Sequence, residues 1–217
     1  MARIGVSKPY YALYNANGNT VTYSDGGLLG RATSVNLSIN TSTDNNLYAD
    51  NGIAEADRQF TDGTLTVGTD ELSQEVSKVI VGAEERTLGP DDGVTVPEGG
   101  TAPTELIFGD NMTFPYLGVG FVIKGQYMNR VYWRAVVLTK VMFAVPNDAA
   151  TTQGKTIEWQ TPELTATILR DDTDARAWKK ESRFETEAEA EGYIKAKLNI
   201  TANTAVVYKA PRSTAKI

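Results

Sequence analysis

Between Ala32 and Asn40, Val35, Leu37 and Ile39 alternate with Ser34, Asn36, Ser38 and Asn40, the period-two pattern of a strand with one buried face. The stretch Leu164 to Arg170 repeats it, with Leu164, Ala166 and Ile168 set against Thr165, Thr167 and Leu169. Two longer runs, Leu117 to Lys124 and Val131 to Ala144, are apolar almost throughout, and a turn at Gly125 to Asn129 joins them into a central hairpin. Phe121, Trp133, Val137, Val141 and Phe143 are its predicted core residues, each worth about 2 kcal/mol when buried. Tyr10 to Tyr14 and Thr20 to Tyr23 flank Asn15-Ala16-Asn17-Gly18-Asn19, whose Asn and Gly accept positive φ, so a second hairpin is expected there. Shorter strands are predicted at Thr64 to Val67, Thr156 to Gln160 and Ala205 to Tyr208.

Only two stretches carry helical spacing. In the first, Leu72, Val76, Val79 and Ile80 form one stripe, with Thr69 or Asp70 as the predicted N-cap, Glu71 in the first turn and Gly82 closing the C-terminus. A short helix alone among strands should lie on one face of a sheet. The second begins at Thr186, where Thr186-Glu187-Ala188-Glu189 fits a capping box. Its apolar side is Ala190, Ile194 and Leu198, and Glu191 with Lys195 makes an i,i+4 pair.

The pattern predicts a single mainly β domain over residues 1–200 with two helices. Residues 83–115 are rich in Gly, Pro and acids, including Gly89-Pro90-Asp91-Asp92-Gly93, and read as a long loop excursion with one weak strand at Val94 to Val96. Residues 201–217 end in the polar, basic stretch Lys209 to Ile217, read as a C-terminal arm.

Composition narrows the chemistry. The chain has 217 residues, 41% hydrophobic and 22% charged, suited to one good-sized core. It has no Cys and no His, which excludes thiolate nucleophiles, Cys/His zinc sites, disulfides and a His general base. No run reaches the roughly 20 apolar residues of a spanning helix; the best, Val131 to Val145, is broken by Arg134 and Lys140. Met1 to Pro9 lacks an apolar signal core, so the expectation is synthesis in a cytoplasm and no membrane association.

Twenty-seven acids and 21 bases give a net charge of −6, opposed to gripping nucleic acid through a basic surface. The halves differ: residues 1–110 hold 16 acids and 6 bases, net −10, and residues 111–217 hold 11 acids and 15 bases, net +4. Halves of opposite sign suit copies that meet head to tail, although charge blocks also arise on solvated faces.

No specific catalytic or cofactor motif emerges. Gly118-Val119-Gly120 sits inside an apolar strand without the rest of a dinucleotide fingerprint, and its glycines suit close approach of another element. Asp91-Asp92 and Asp171-Asp172-Thr173-Asp174 do not fit a calcium loop and read as solvated turns. With 27 acids, a suitably spaced carboxylate pair carries no signal for glycoside hydrolysis. Tyr10, Tyr11 and Tyr14 suit either a sugar-stacking platform or interior packing. No metal, cofactor or catalytic residue is assigned.

A set of segments, in order, resembles the major tail protein family of long, non-contractile-tailed bacteriophages. They are Leu47-Tyr48-Ala49-Asp50-Asn51, Ala54-Glu55-Ala56-Asp57 with Phe60, and Gly63 to Leu72 leading into the helix that ends at Gly82. Further on come Gly118 to Phe121, Tyr132 to Ala135 with Lys140 to Phe143, Gln153 to Pro162, and Phe184 to Ala188. The resemblance covers roughly residues 35–200 and omits the stretch 86–104 and the last 15 residues.

That resemblance implies a β-sandwich or barrel-like tail tube fold with a flanking helix, assembled as hexameric rings. Stacked rings form the tube through which genomic DNA leaves the capsid, in a virion whose subunits are made in the bacterial host cytoplasm. The implied partners are the chain itself and the tape measure, tail terminator and baseplate proteins, with no enzymatic activity. DNA would pass without specific binding. Other tail components with this fold, a terminator or a baseplate hub, and a carbohydrate-binding β-sandwich are the alternatives.

A tube subunit needs arms that reach neighbours, and residues 1–9, 41–62 and the C-terminal arm are the candidates. It also needs a bore that does not hold phosphates. Residues 44–75 hold Asp44, Asp50, Glu55, Asp57, Asp62, Asp70, Glu71 and Glu75 against one base, Arg58. Asp44, Asp50, Glu55, Asp57 and Asp62 are therefore candidate acids either for the lumen or for ring-to-ring contacts.

Overall fold

The computed structural model describes residues 2–42, 45–97, 99–110, 112–147, 152 and 161–201. The predicted strand at 156–160, the segment 153–160 of the resemblance, the strand at 205–208 and the arm 202–217 lie outside these residues. The fold is mainly β and sandwich-like. Its centre is the predicted hairpin, β9 (Leu117–Tyr127) and β10 (Arg130–Phe143). Met128 and Asn129 turn the chain with φ of 45° and 61°, the left-handed pair that matches strand twist in a two-residue hairpin.

Strand β1 (Ala2–Asn17) lies against β9, and β2 (Thr20–Leu28) lies on the far side of β1. On its other side β10 forks. Its first half, Trp133 to Leu138, pairs with β12 (Lys179–Phe184), and Lys140 to Phe143 pairs with β11 (Glu163–Leu169). Thr139 sits at the fork, its hydroxyl donating to the Ala177 carbonyl at 2.6 Å. From β11 the sheet continues through β6 (Phe60–Thr69) to β3 (Ala32–Thr41), and β3 comes back beside β1.

One face of this curled sheet encloses the main core. Leu117, Val119 and Phe121 of β9 meet Val136, Leu138, Val141 and Phe143 of β10 and Leu164, Ala166 and Ile168 of β11 there. The predicted alternation of β11 is realised residue by residue. Helix α1 (Gln74–Val81) contributes Val76, Ile80 and Val81 to the same core. Its N-cap is Ser73, whose hydroxyl accepts from the Val76 amide, rather than Thr69 or Asp70. Thr69 ends β6 and is fully buried, while Asp70 accepts from the Arg31 amide and side chain. Gly82 closes the helix at φ 69°, with the Thr113 carbonyl 2.2 Å from where a Cβ would stand, so both conformation and space require glycine.

Helix α2 (Glu187–Lys197) covers the opposite face, burying Ala190, Ile194 and the following Leu198 against Tyr10, Ala12, Val122, Ala135 and Val137. The predicted capping box is formed, Thr186 Oγ1 accepting from the Glu189 amide. Gly118 and Gly120 of β9 lie beneath the helix: a Cβ at Gly120 would sit 2.5 Å from Ile194 Cγ2. Close approach is thus the role of these glycines. Trp133 is half-buried at the edge of this second cluster, not in the main core, with Lys124 Nζ 5.1 Å from its ring.

Two arm and loop expectations change. Residues 2–9 are not a free N-terminal arm, because β1 pairs with β9 from Ala2 onward; Pro9, which has no amide proton, falls where the register shifts between Ser7 and Tyr10. The excursion contains β7 (Glu84–Thr87) paired with β8 (Thr104–Ile107), and no strand at 94–96. Arg86 fastens it by ion pairs to Asp92 at 2.6 Å and Glu105 at 2.7 Å. No helix among the described residues is long and apolar enough to cross a membrane.

Candidate assembly surface

Beyond the end of the β3–β6 ladder the chain forms a separate two-stranded arm within the segment 41–62. Strands β3 and β6 pair from Ala32–Thr69 to Thr41–Phe60, and the ladder passes through the Ser42 amide, which donates to the Gln59 carbonyl at 2.7 Å. Beyond it, β4 (Asn45–Ala49) pairs with β5 (Gly52–Asp57). Asp50 and Asn51 turn the tip with φ of 48° and 64°, a conformation that their short polar side chains tolerate. β4 and β5 pack on one another and on no other element to a comparable extent.

Three large apolar side chains stand out from this arm: Leu47 and Ile53 are each 60% exposed and Tyr48 is 66% exposed. Tyr48 and Ile53 are direct cross-strand partners, so they share one face, and Leu47 is opposite Glu55 on the other. Apolar residues clustered on a projecting hairpin mark a contact surface, because water gains when they are covered.

The sequence-predicted acids divide accordingly. Asp50 is at the tip, and Glu55 and Asp57 are exposed on β5, where Asp57 accepts from the Gln59 side chain at 3.2 Å. Asp62 belongs to the body: it lies in β6 and accepts from the Asn40 side chain at 2.5 Å. Asp44 lies outside the described residues. The structure thus brings Asp50, Glu55 and Asp57 together on the arm and sets Asp62 at its root.

The root strand β3 also ends the path of paired strands, with β1 close beside part of it. It is hydrogen-bonded to β6 on one side, its ten residues contain no charge and no proline, and its outward residues are Ser34, Asn36, Ser38 and Asn40. A monomeric protein ordinarily guards so long an edge with charge, proline or a bulge, and β3 has only the register irregularities at its two ends, between Ala32 and Ser34 and between Asn40 and Thr41. The other end of the sheet has such guards: in β2, Asp25 takes φ 48°, the register with β1 shifts, and the Asn199 side chain donates to the Tyr23 carbonyl.

Opposite the arm in sequence, α2 is fastened to β1 by a charged cluster. Glu191 accepts from Lys195 Nζ at 2.6 Å, from Tyr10 Oη at 2.7 Å and from Lys8. Burial pushes the Glu191 carboxyl up, and the bonds from Lys195, Lys8 and Tyr10 outweigh it, holding it at about 2. Ser7 Oγ donates to Glu187 at 2.8 Å. A second cluster joins Tyr14, Asp172 and Lys140: Tyr14 Oη donates to Asp172 at 2.8 Å, and Lys140 Nζ reaches Asp172 at 2.7 Å over the Tyr14 ring. Burial, with the Asp172 carboxylate adding to it, raises the Tyr14 phenol to about 12.

Tyr10, Tyr11 and Tyr14 are all 7–9% exposed, so they pack the interior and form no open sugar platform. The acid turns are internally bonded: Asp92 accepts from the Gly89 amide and Arg86, and Asp171 from the Thr173 amide and hydroxyl. No group of three or more metal-ligating side chains occurs among the described residues. Sequence reasoning missed an apolar groove around the β9–β10 turn, where Tyr127, Met128 and Val131 are exposed beside Phe184. The one local signal was apolar side chains flanking a hairpin turn. No family model and no curated protein matches the chain.

Proposed function

We propose that this chain is a structural subunit that self-assembles into stacked hexameric rings, forming the tail tube of a long-tailed bacteriophage. The tube is the conduit for DNA ejection, and the subunit has no catalytic role. The observation that carries the reading is the β4–β5 arm, with Leu47, Tyr48 and Ile53 exposed on a two-stranded hairpin beyond the end of the β3–β6 ladder. Such an arm has a use only when another molecule covers it. The uncharged edge of β3 supports the same reading, since a sheet that continues across neighbours closes a wall without loose edges.

Charge supports the conduit. With a net charge of −6 and an acidic first half, a wall built from this chain repels phosphates rather than holding them. Asp62, on the body, is the described candidate for the bore, and Asp50, Glu55 and Asp57 travel with the arm. The tape measure, terminator and baseplate proteins are the partners this role requires, and the virion tail is its location. Negative-stain electron microscopy of the concentrated protein tests the proposal. Rings or filaments of uniform bore are expected, and isolated globules at every concentration refute it.

A further inference from the structure

Two exposed apolar grooves on the body could receive the arm, and their charges differ. The first lies beside α1, where Phe108 and Val145 are flanked by Asp70 and Glu71 with no base in its lining among the described residues. Arg31 pairs with Asp70 and leaves Glu71 as the net charge of this groove, so nothing there attracts an acidic arm. The second, about 740 Å³, runs along the β9–β10 turn and the end of β12. Its apolar surface is Tyr127, Met128, Val131 and Phe184, with Met128 80% exposed, and Arg130 and Arg183 rim it against a single carboxylate, Glu185.

We propose that the β4–β5 arm of one copy docks in the Tyr127–Val131 groove of a second copy. Leu47 covers Met128 and Val131, and Glu55 and Asp57, on the same face of the arm as Leu47, meet the Arg130 and Arg183 rim, with Asp50 at the tip beside them. The proposal rests on the self-assembly reading above and names its contact. Apolar area supplies the attraction, and the opposed charges select this groove over the acidic one. Because the arm and groove are different patches, the contact is heterologous and repeats from copy to copy, closing a ring or extending a filament according to its rotation.

The absence of native cysteine makes the contact directly testable. Leu47→Cys and Met128→Cys proteins each carry one thiol, and a short bismaleimide is added to each alone and to their mixture. A cross-linked dimer enriched in the mixture over either protein alone is expected. No enrichment while micrographs show rings or filaments overturns the docking and leaves self-assembly standing. No enrichment with isolated globules overturns both, and enrichment without rings or filaments sustains the contact and refutes the tube. In a second arm, Asp57→Lys and Arg130→Glu are each expected to raise the concentration needed for assembly about tenfold. Their combination is expected to recover most of that loss, with melting temperatures unchanged. Failure of the double variant to recover overturns the proposed facing of charges.

Discussion

Replacing Glu191 with Gln tests whether the charged cluster between α2 and β1 stabilises the fold through charge. The variant keeps the shape and the acceptor oxygen facing Tyr10 but leaves Lys8 and Lys195 without a carboxylate. A depression from the ordinary 4.5 to about 2 corresponds to about 3 kcal/mol of charge-dependent stability. Solvent at this partly exposed site trims it to about 1–2 kcal/mol. Because the folded carboxyl is the stronger acid, its contribution is complete above about 4.5 and is lost as the pH falls towards 2. Lys8 and Lys195, both raised by their bonds to Glu191, keep their charge through neutrality. Urea denaturation of parent and variant across this range is the assay. At pH 7 the variant should be less stable by about 1–2 kcal/mol, or about 3–6 °C in Tm, and near pH 2 the two curves should converge. A gap of the same size at both pH values would show that geometry, not charge, carries the cluster, and equal stability at pH 7 would refute the cluster's role.

Gly82→Ala combines a left-handed φ with a Cβ against the Thr113 carbonyl, so a loss of more than about 1 kcal/mol is expected by chemical denaturation. Gly120→Ala should cost about 1–3 kcal/mol, because its Cβ would meet Ile194; an unchanged midpoint would show that α2 is not seated as described. Phe143→Ala, in the main core and 1% exposed, should cost about 3–5 kcal/mol in the same assay. The double reversal Asp57→Lys with Asp62→Lys is expected to weaken polymerisation through Asp57, as judged by electron microscopy, and to impair DNA ejection through Asp62 in the tubes that form. Normal tubes with impaired DNA ejection would instead place these carboxylates in the bore.

Elements whose signals are local were legible in the sequence. The alternation of Leu164, Ala166 and Ile168, the Thr186 to Glu189 capping box and Gly82 each fix their own geometry within a few residues. The first N-cap was misplaced because Thr69 and Asp70 are good capping residues by type, yet β6 runs through Thr69, and Arg31 engages Asp70. β7 and β8 were hidden because Glu84-Glu85-Arg86-Thr87 has no apolar alternation and is held by ion pairs. The pairing of residues 2–9 with β9, more than 100 positions away, has no local sign. The arm was legible as a polar segment between strands, but its groove joins Tyr127 to Phe184 across the sheet, a juxtaposition that only the fold creates.

Since β4 and β5 are tethered to the body through β3 and β6, tension applied to the arm enters the body at the Thr41–Phe60 end of that pair of strands. A pull along those strands loads the β6–β11 bonds together, in shear, whereas a pull across them opens the bonds one at a time. A filament joined through such arms and pulled in the first direction would resist stretching far better than its small individual contacts suggest, while staying free to flex where each tip meets its neighbour.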